Sequence, residues 1–283
     1  MPESSLIALI RRLAGGLIGD DCAVYRSPGS AKDLLFTTDQ LIEGIHYIKD
    51  RLPARHAGAR LMGRGLSDIA AMGGVPKLAF LSLALPSRMR NTWKRGFLHG
   101  FAASARRFGV IWAGGDLSGT AGPAVAAITL VGEVPRGSAI LRSGAAPGDR
   151  LCVTGVLGQG LPGVAPRLEV GQFLCRRKLA TSMIDLSDGL STDLGNLTRE
   201  SGVGAVVEAA LIPRGKVSLD KALHHGEDYE LLFTIRPGAR LPAKIAGVAV
   251  QEIGRITSGR GVILEHPDGR RERLKPGGWE HFS

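Results

Sequence analysis

The spacing of apolar positions divides the chain into two halves with the same alternation of short strands and helices. In the first, "CAVYR" (22–26) and "DLLFTTD" (33–39) read as strands separated by the turn "SPGSAK". Ala57, Leu61, Gly65, Ile69 and Met72 fall at helical spacing and predict a helix over 54–72. A strand "LAFLSLAL", a helix from Asn91 to Phe108, and the strands "VIWAG" and "AVAAITLVGEV" complete this half. After the loop "PRGSAILRSGAAPGD" the second half opens with the buried strand "RLCVTG". It continues with a strand carrying Asp185 and Ser187 on one face, a helix starting near Asp188, and the strands "GAVVEA", "YELLFTI" and "VAVQEIG". Strands interleaved with helices predict an α/β or α+β architecture. The boundary belongs within 135–149, giving domains of 1–136 and 137–283. The longest apolar runs, such as "AVAAITLVG", are far below the roughly 18 residues a membrane span needs.

Composition changes this picture only a little. The 283 residues are ample for two domains, and 44% hydrophobic with 22% charged residues is ordinary for a globular protein. Forty glycines are about twice the usual share, so tight turns and close backbone approaches are expected. The net charge of +10 invites a nucleic-acid reading. The cations are scattered, however, and three Trp and three Tyr leave little for base stacking. A basic surface suited to small anionic substrates explains the charge as well. The N-terminal order, an acid before a short apolar run that contains arginines, is wrong for a signal peptide. Three widely spaced cysteines without a CxxC argue against disulfides or zinc and for a reducing cytoplasm.

The acids are harder to place. "MIDLSDGLSTDL" sets Asp185, Asp188 and Asp193 among residues that look like core, and "GLIGDDCAVY" does the same with Asp20 and Asp21. A buried carboxylate without a partner is strongly unfavourable. Asp68, on the helix shared with Leu61 and Met72, reads either as an exposed pair with Arg64 at i−4 or as a metal ligand. Asp39 ends a strand with Thr37 on the same side, and Asp116 follows a strand and two glycines; each has a turn-forming alternative. Of Asp185 and Asp188, one caps the following helix and the other is left over. Two carboxylates at a helix start would repel a bare phosphate, whereas a hard divalent cation can be shared by carboxylates and phosphate oxygens. Five strings of this kind in one chain point to a multi-carboxylate Mg²⁺ cluster. No Walker or protein-kinase motif is present. "GQGLPG" (158–163) matches G-x-G-x-x-G, but Pro162 and Pro166 break the helix that should follow.

The strings "IGDDCAV", "TTDQLIEGIHY", "LSDIAAMGG", "GGD", "LRSGAAPGD", "IDLSDGLSTDL", "GEDYELLFT" and "GWEHF" together resemble the thiamine-monophosphate kinases. These are members of the aminoimidazole-ribonucleotide-synthetase-like superfamily. The resemblance implies a two-domain PurM-like fold: an N-terminal Mg/ATP domain that dimerises through its sheet, and a C-terminal α/β domain that closes the site. It implies Mg²⁺ ligands at Asp21, Thr38, Asp39, Asp68, Asp116, Asp185 and Asp188, with Thr37 close by. ATP contacts fall on Gly115, Asp116, Arg142 and Ser187, and thiamine phosphate contacts on His46, Glu227 and Trp279. Taken alone, His46 reads equally as a surface histidine, Glu227 as a solvated acid and Trp279 as a tail anchor. Two departures stand out: Leu117 where the family usually has Thr, and a shortened segment over 156–181.

The residue types suit the implied chemistry. A phosphate monoester is already largely ionised near pH 7 and needs no strong base to attack a γ-phosphorus. Charge neutralisation and in-line positioning suffice, so a site rich in Asp and poor in His is expected, with ATP as co-substrate. The alternatives are another ATP-using enzyme of the superfamily, such as selenophosphate synthetase or the hydrogenase maturation protein, or a non-catalytic nucleotide-binding relative. Of those two enzymes, the first would want a reactive Cys near the N-terminus, whereas Cys22 lies inside the metal motif. The second would end in a Cys-bearing tail.

Overall fold

The periodic run from 54 to 72 becomes the helix around which the whole chain is arranged. The computed structural model describes residues 3–14, 16–48, 51–160 and 163–280. Helix α1 (Glu3–Ala14) precedes β1 (Ala23–Tyr25), β2 (Lys32–Ile42), α2 (Ala54–Ala71), β3 (Val75–Pro86), α3 (Asn91–Arg107), β4 (Ile111–Thr120) and β5 (Val125–Pro135). There follow β6 (Arg150–Thr154), α4 (Leu168–Arg176), β7 (Ala180–Asp185), α5 (Leu190–Ser201) and β8 (Gly204–Glu208). The chain then runs through α6 (Leu219–His224), β9 (Leu231–Ile235), β10 (Lys244–Ile245), β11 (Val248–Thr257), β12 (Gly261–Glu265) and β13 (Arg271–Leu274).

The first strands form a five-stranded sheet ordered β1-β2-β5-β3-β4, antiparallel except for the β3–β4 pair. The later strands form an eight-stranded sheet along β13-β12-β8-β11-β6-β9-β7, with β10 paired to β11. Along β2 the alternation sorts Leu35, Thr37 and Leu41 to a buried face and Phe36, Thr38 and Gln40 to an exposed one. Helix α2 covers the buried face. It crosses α3 backbone to backbone: a Cβ on Gly58 would lie 2.1 Å from the Phe97 carbonyl oxygen, and one on Gly100 1.9 Å from that of Arg55. On its other side α2 meets α4 and β7. Leu61, Met62, Leu66 and Ile69 therefore share one core with Leu35, Ile128 and Leu130 of the first sheet and with Leu174, Met183 and Phe233 of the second half. A separate core lies beneath α5 and includes Leu151, Leu194, Leu197 and Val207.

The helices over 54–72 and 91–108 and the anticipated strands are all present, except that β7 ends at Asp185 and leaves Ser187, expected on the same strand face, in the turn that follows. Three local expectations need correcting. Asp116 does not follow β4 but lies inside it, because the ladder to β3 continues through Gly114 and Gly115. Asp39 likewise is internal to β2 rather than at its end. Helix α5 starts at Leu190 with Gly189 at its N-cap, so Asp188 is not the capping acid. Helices α1, α4 and α6 and strands β10, β12 and β13 were not anticipated. Among the described residues, no helix is long and apolar enough to cross a membrane. Cys22, Cys152 and Cys175 are free and buried. Pro162 and the closing His281 and Phe282 lie outside the described residues.

Candidate active site

Three carboxylates meet where the two halves join. Asp21 comes from the segment before β1, Asp68 from the last turns of α2 and Asp185 from the end of β7. One oxygen from each lies within 4.8 Å of the others. Each makes one clear contact: the Arg142 guanidinium donates to Asp21 Oδ1 at 2.7 Å, Ser67 Oγ to Asp185 Oδ2 at 2.6 Å, and the Thr37 hydroxyl to Asp68. Asp21 Oδ2 is buried without a hydrogen-bond partner. Burial pushes the Asp185 carboxyl up to about 7, reinforced by the charge of Asp21. Burial, together with Asp185, Asp39 and Asp21, holds Asp68 well above the usual range. Hard oxygen donors, like charges in contact and an orphaned buried oxygen form a set that a hard divalent cation such as Mg²⁺ would satisfy.

An open cavity of about 620 Å³ adjoins the group, with His46, Ser187, Asp188, Glu227 and Trp279 in its walls. The backbone N–H of Ile42 donates to His46 Nδ1 at 3.0 Å, which leaves Nε2 as the protonated nitrogen of the neutral ring. Glu227 adopts φ +67° in a loop zipped to the β7–α5 turn by Glu227 N–H to Ser187 O (2.7 Å) and Tyr229 N–H to Leu186 O (2.8 Å). Its carboxylate pairs with Arg60 at 2.5 Å. The tail is fastened through its backbone: Gly277 N–H to Ser191 Oγ, Gly278 N–H to Thr192 Oγ1 and Trp279 N–H to Asp188 O. A Cβ on Gly278 would sit 1.8 Å from Asp188 O, so only glycine fits there. Trp279 is 54% exposed and lines the cavity wall.

Residues 19–134 match the family model described as AIR synthase related protein, N-terminal domain. The thiamine-monophosphate kinase of Rhodopirellula baltica is 33% identical, over 99% of this chain and 97% of its own. That of Escherichia coli K12 is 34% identical, over 94% and 91%. This chain belongs to the thiamine-monophosphate kinase family. The solved structure of AaThiL complexed with AMPPCP and TMP superposes with a TM-score of 0.87 at 30% identity, covering 99% of this chain and 97% of that one.

In this thiamine-monophosphate kinase family member, some of the expected residues do not converge. Thr38 borders the cavity, but its hydroxyl donates across the sheet to Ile128 O at 3.0 Å. Gly115 and Asp116 are exposed on edge strand β4. The registers place Asp116 beside Ser82, Ala127 and then Gln40, three strand spacings or about 14 Å from β2. Asp193, the third acid of the puzzling stretch, is structural: its Oδ2 accepts the N–H groups of Asp188 (3.0 Å) and Gly189 (3.1 Å) and so closes the start of α5. The "GQG" loop is also filled from within. Its N–H groups at Gly158, Gln159 and Gly160 converge on the Asp228 carboxylate at 2.7, 3.0 and 3.4 Å, leaving no room for a phosphate.

Sequence reasoning missed Arg60, Arg64, Ser67 and Tyr229. Arg64 does not pair with Asp68. Its Nε and Nη2 donate to the two oxygens of Asp39 at 2.8 and 2.9 Å. A signal was available, because Arg60, Arg64 and Asp68 are spaced by four on this helix and so share one stripe.

Proposed function

We propose that this chain transfers the γ-phosphoryl group of ATP directly to thiamine monophosphate, giving thiamine diphosphate. The observation that carries this reading is the buried Asp21–Asp68–Asp185 group opening on a cavity walled by His46, Glu227 and Trp279, in a member of this family. The AaThiL complex, which holds an ATP analogue and TMP, supports the choice of both substrates. Asp21, Asp68 and Asp185, with Asp188 beside them, would hold Mg²⁺, which would supply charge neutralisation for the transferring phosphoryl group. Arg142 and Ser187 face the nucleotide. The indole of Trp279 faces the thiazolium ring, and His46 and Glu227 orient the acceptor. The acceptor phosphate attacks unaided, since its second ionisation is largely complete at pH 7. No covalent intermediate is needed, and Cys22 is no candidate for one: burial first, then Asp68 and Asp21, hold its thiol well above the ordinary value.

Residues 1–136 contribute Asp21 and Asp68 to the metal site, and 137–283 contribute Asp185, Arg142 and Ser187 and close the site. The working form is a homodimer in the cytoplasm. Support for the dimer comes from β4, an edge strand exposed along its length that bears Ile111, Trp112 and Leu117. Asp116 and Gly115 cannot reach the cluster of their own chain, so a second copy is their route to one. Sedimentation equilibrium measures this directly, and a monomer at working concentration would refute it. The activity is tested by ADP release from ATP and Mg²⁺ with and without thiamine monophosphate. Acceptor-dependent release is expected, and its absence in the folded protein overturns the assignment.

A further inference from the structure

One cation in the cavity wall has no part in the transfer described above. Arg64 projects from the same stripe of α2 as Arg60 and Asp68, one turn from each. Its guanidinium engages both oxygens of Asp39 side-on, the bidentate geometry in which an arginine–carboxylate pair is strongest. Gln40 N–H adds a third donor to Asp39 Oδ1 at 2.6 Å. The pair is largely shielded, with side chains 13% and 22% exposed, and the guanidinium carbon stands 5.9 Å from the centre of the Tyr229 ring. Asp39 contributes no oxygen to the close group formed by Asp21, Asp68 and Asp185. A divalent ion claiming Asp39 would have to break two charge-assisted hydrogen bonds. It would also leave a shielded guanidinium beside a dication.

We infer that Arg64 supplies at Asp39 the counter-charge that a metal ion would otherwise supply, so that the metal site of this chain is built on Asp21, Asp68 and Asp185. This rests on the metal-dependent reading above. The outer edge of the guanidinium stays available to an anion. Nη1 lies 3.7 Å from Glu227 Oε1, beyond hydrogen-bonding distance, and Arg64 lines the cavity. An arginine held this way presents a permanent, oriented cation to the acceptor phosphate, with no dependence on metal concentration.

Equilibrium dialysis against Mn²⁺, with a non-hydrolysable ATP analogue present, counts the ions. Arg64→Met releases Asp39 and is expected to bind one more Mn²⁺ per chain than the wild type. Adding Asp39→Asn to it returns the count to the wild-type value, and Arg64→Lys, which keeps the charge without the bidentate fork, matches the wild type in the Mn²⁺ count alone. Where Arg64→Met fails to fold, Arg64→Gln keeps the polar contact and carries the same expectation. The KM for thiamine monophosphate rises by roughly threefold to thirtyfold in Arg64→Met, with a smaller change for ATP. Equal Mn²⁺ counts in wild type and Arg64→Met overturn the inference while leaving the three-carboxylate site intact. A wild type that binds no Mn²⁺, like Asp185→Asn, overturns the metal reading itself.

Discussion

Two groups of acids, Asp228 with Glu230 in the second half and Asp21, Asp68 and Asp185 at the junction of the halves, are built on opposite principles. Glu230 accepts Arg167 through both oxygens and Thr154 Oγ1 at 2.5 Å, and Asp228 is wrapped by three backbone N–H groups. Every charge there has its donors. At the junction, Asp21, Asp68 and Asp185 crowd together with one donated contact each, and a buried oxygen of Asp21 has none. Burial of a carboxylate is common to both groups and therefore does not mark a functional site. What sets the junction apart is that three such acids are in contact with one another, like charges that a shared cation would balance.

The sharpest way to break this contrast is to neutralise one acid in each group. Asp185→Asn or Asp68→Asn is expected to cut phosphoryl transfer about a hundredfold to a thousandfold, comparable with removing one stabiliser of transition-state charge. The metal-free melting temperature should hold or rise, since one member of a repelling group is gone. Glu230→Gln should do the reverse. It leaves Arg167 without its counter-charge and costs about 3 kcal/mol of stability, while folded molecules keep their turnover. Near wild-type turnover in both Asn variants would sink the contrast.

Trp279 tests the acceptor side with a smaller effect. The tail is tied down by its own backbone and Trp279 is 54% exposed, so its indole is not expected to act as the anchor. An indole face attracts a cation by ~0.5–2 kcal/mol, so Trp279→Ala should raise the KM for thiamine monophosphate roughly threefold to thirtyfold. The KM for ATP and the melting temperature should barely move. Equal rises in both KM values, or a large drop in melting temperature, would make the residue an anchor after all.

The smallest expected effect is on pH dependence. Asp185 has a folded-state pKa of about 7 against an ordinary 3.8. The folded state therefore keeps a proton that the unfolded chain has lost, and its advantage is present below pH 4 and lost as pH rises through 7. In EDTA the melting temperature should fall by on the order of a few degrees between pH 5 and 7.5, and Mg²⁺ should flatten the curve. A melting temperature that rises over that range would show that Asp185 is already compensated without a metal.

Much of the layered architecture was legible because periodicity survives wherever an element packs on one side. Short or charged elements were not. Helix α4 is a single amphipathic stretch of nine residues, and β13 carries Arg-Glu-Arg along an exposed edge. The glycines after Trp112 look like the end of a strand, yet β3 supplies partners that carry β4 past Asp116. At the site, the unusual acids were visible as acids. Their sorting was not, because it depends on distant partners: Arg142 lies 121 residues from Asp21, and Arg167 lies 63 from Glu230. Arg64 lay close to Asp68 in sequence, and the i−4 rule pointed it at the wrong acid. A strand 25 residues earlier held the better geometry.

The position of α2 sets a limit on how far the molecule can be divided. Leu61, Met62, Leu66 and Ile69 have no exposed surface, and they owe this to both halves at once. Each such side chain contributes about 1.5–3 kcal/mol through its burial. Cut within the 136–149 connection, neither piece retains what it needs. The N-terminal piece would present a bare apolar ridge to water, and the C-terminal piece would lose the surface on which α4 and β7 rest. The chain thus has two sheets resting on one shared core, in which the helix that carries Asp68 is also the keel.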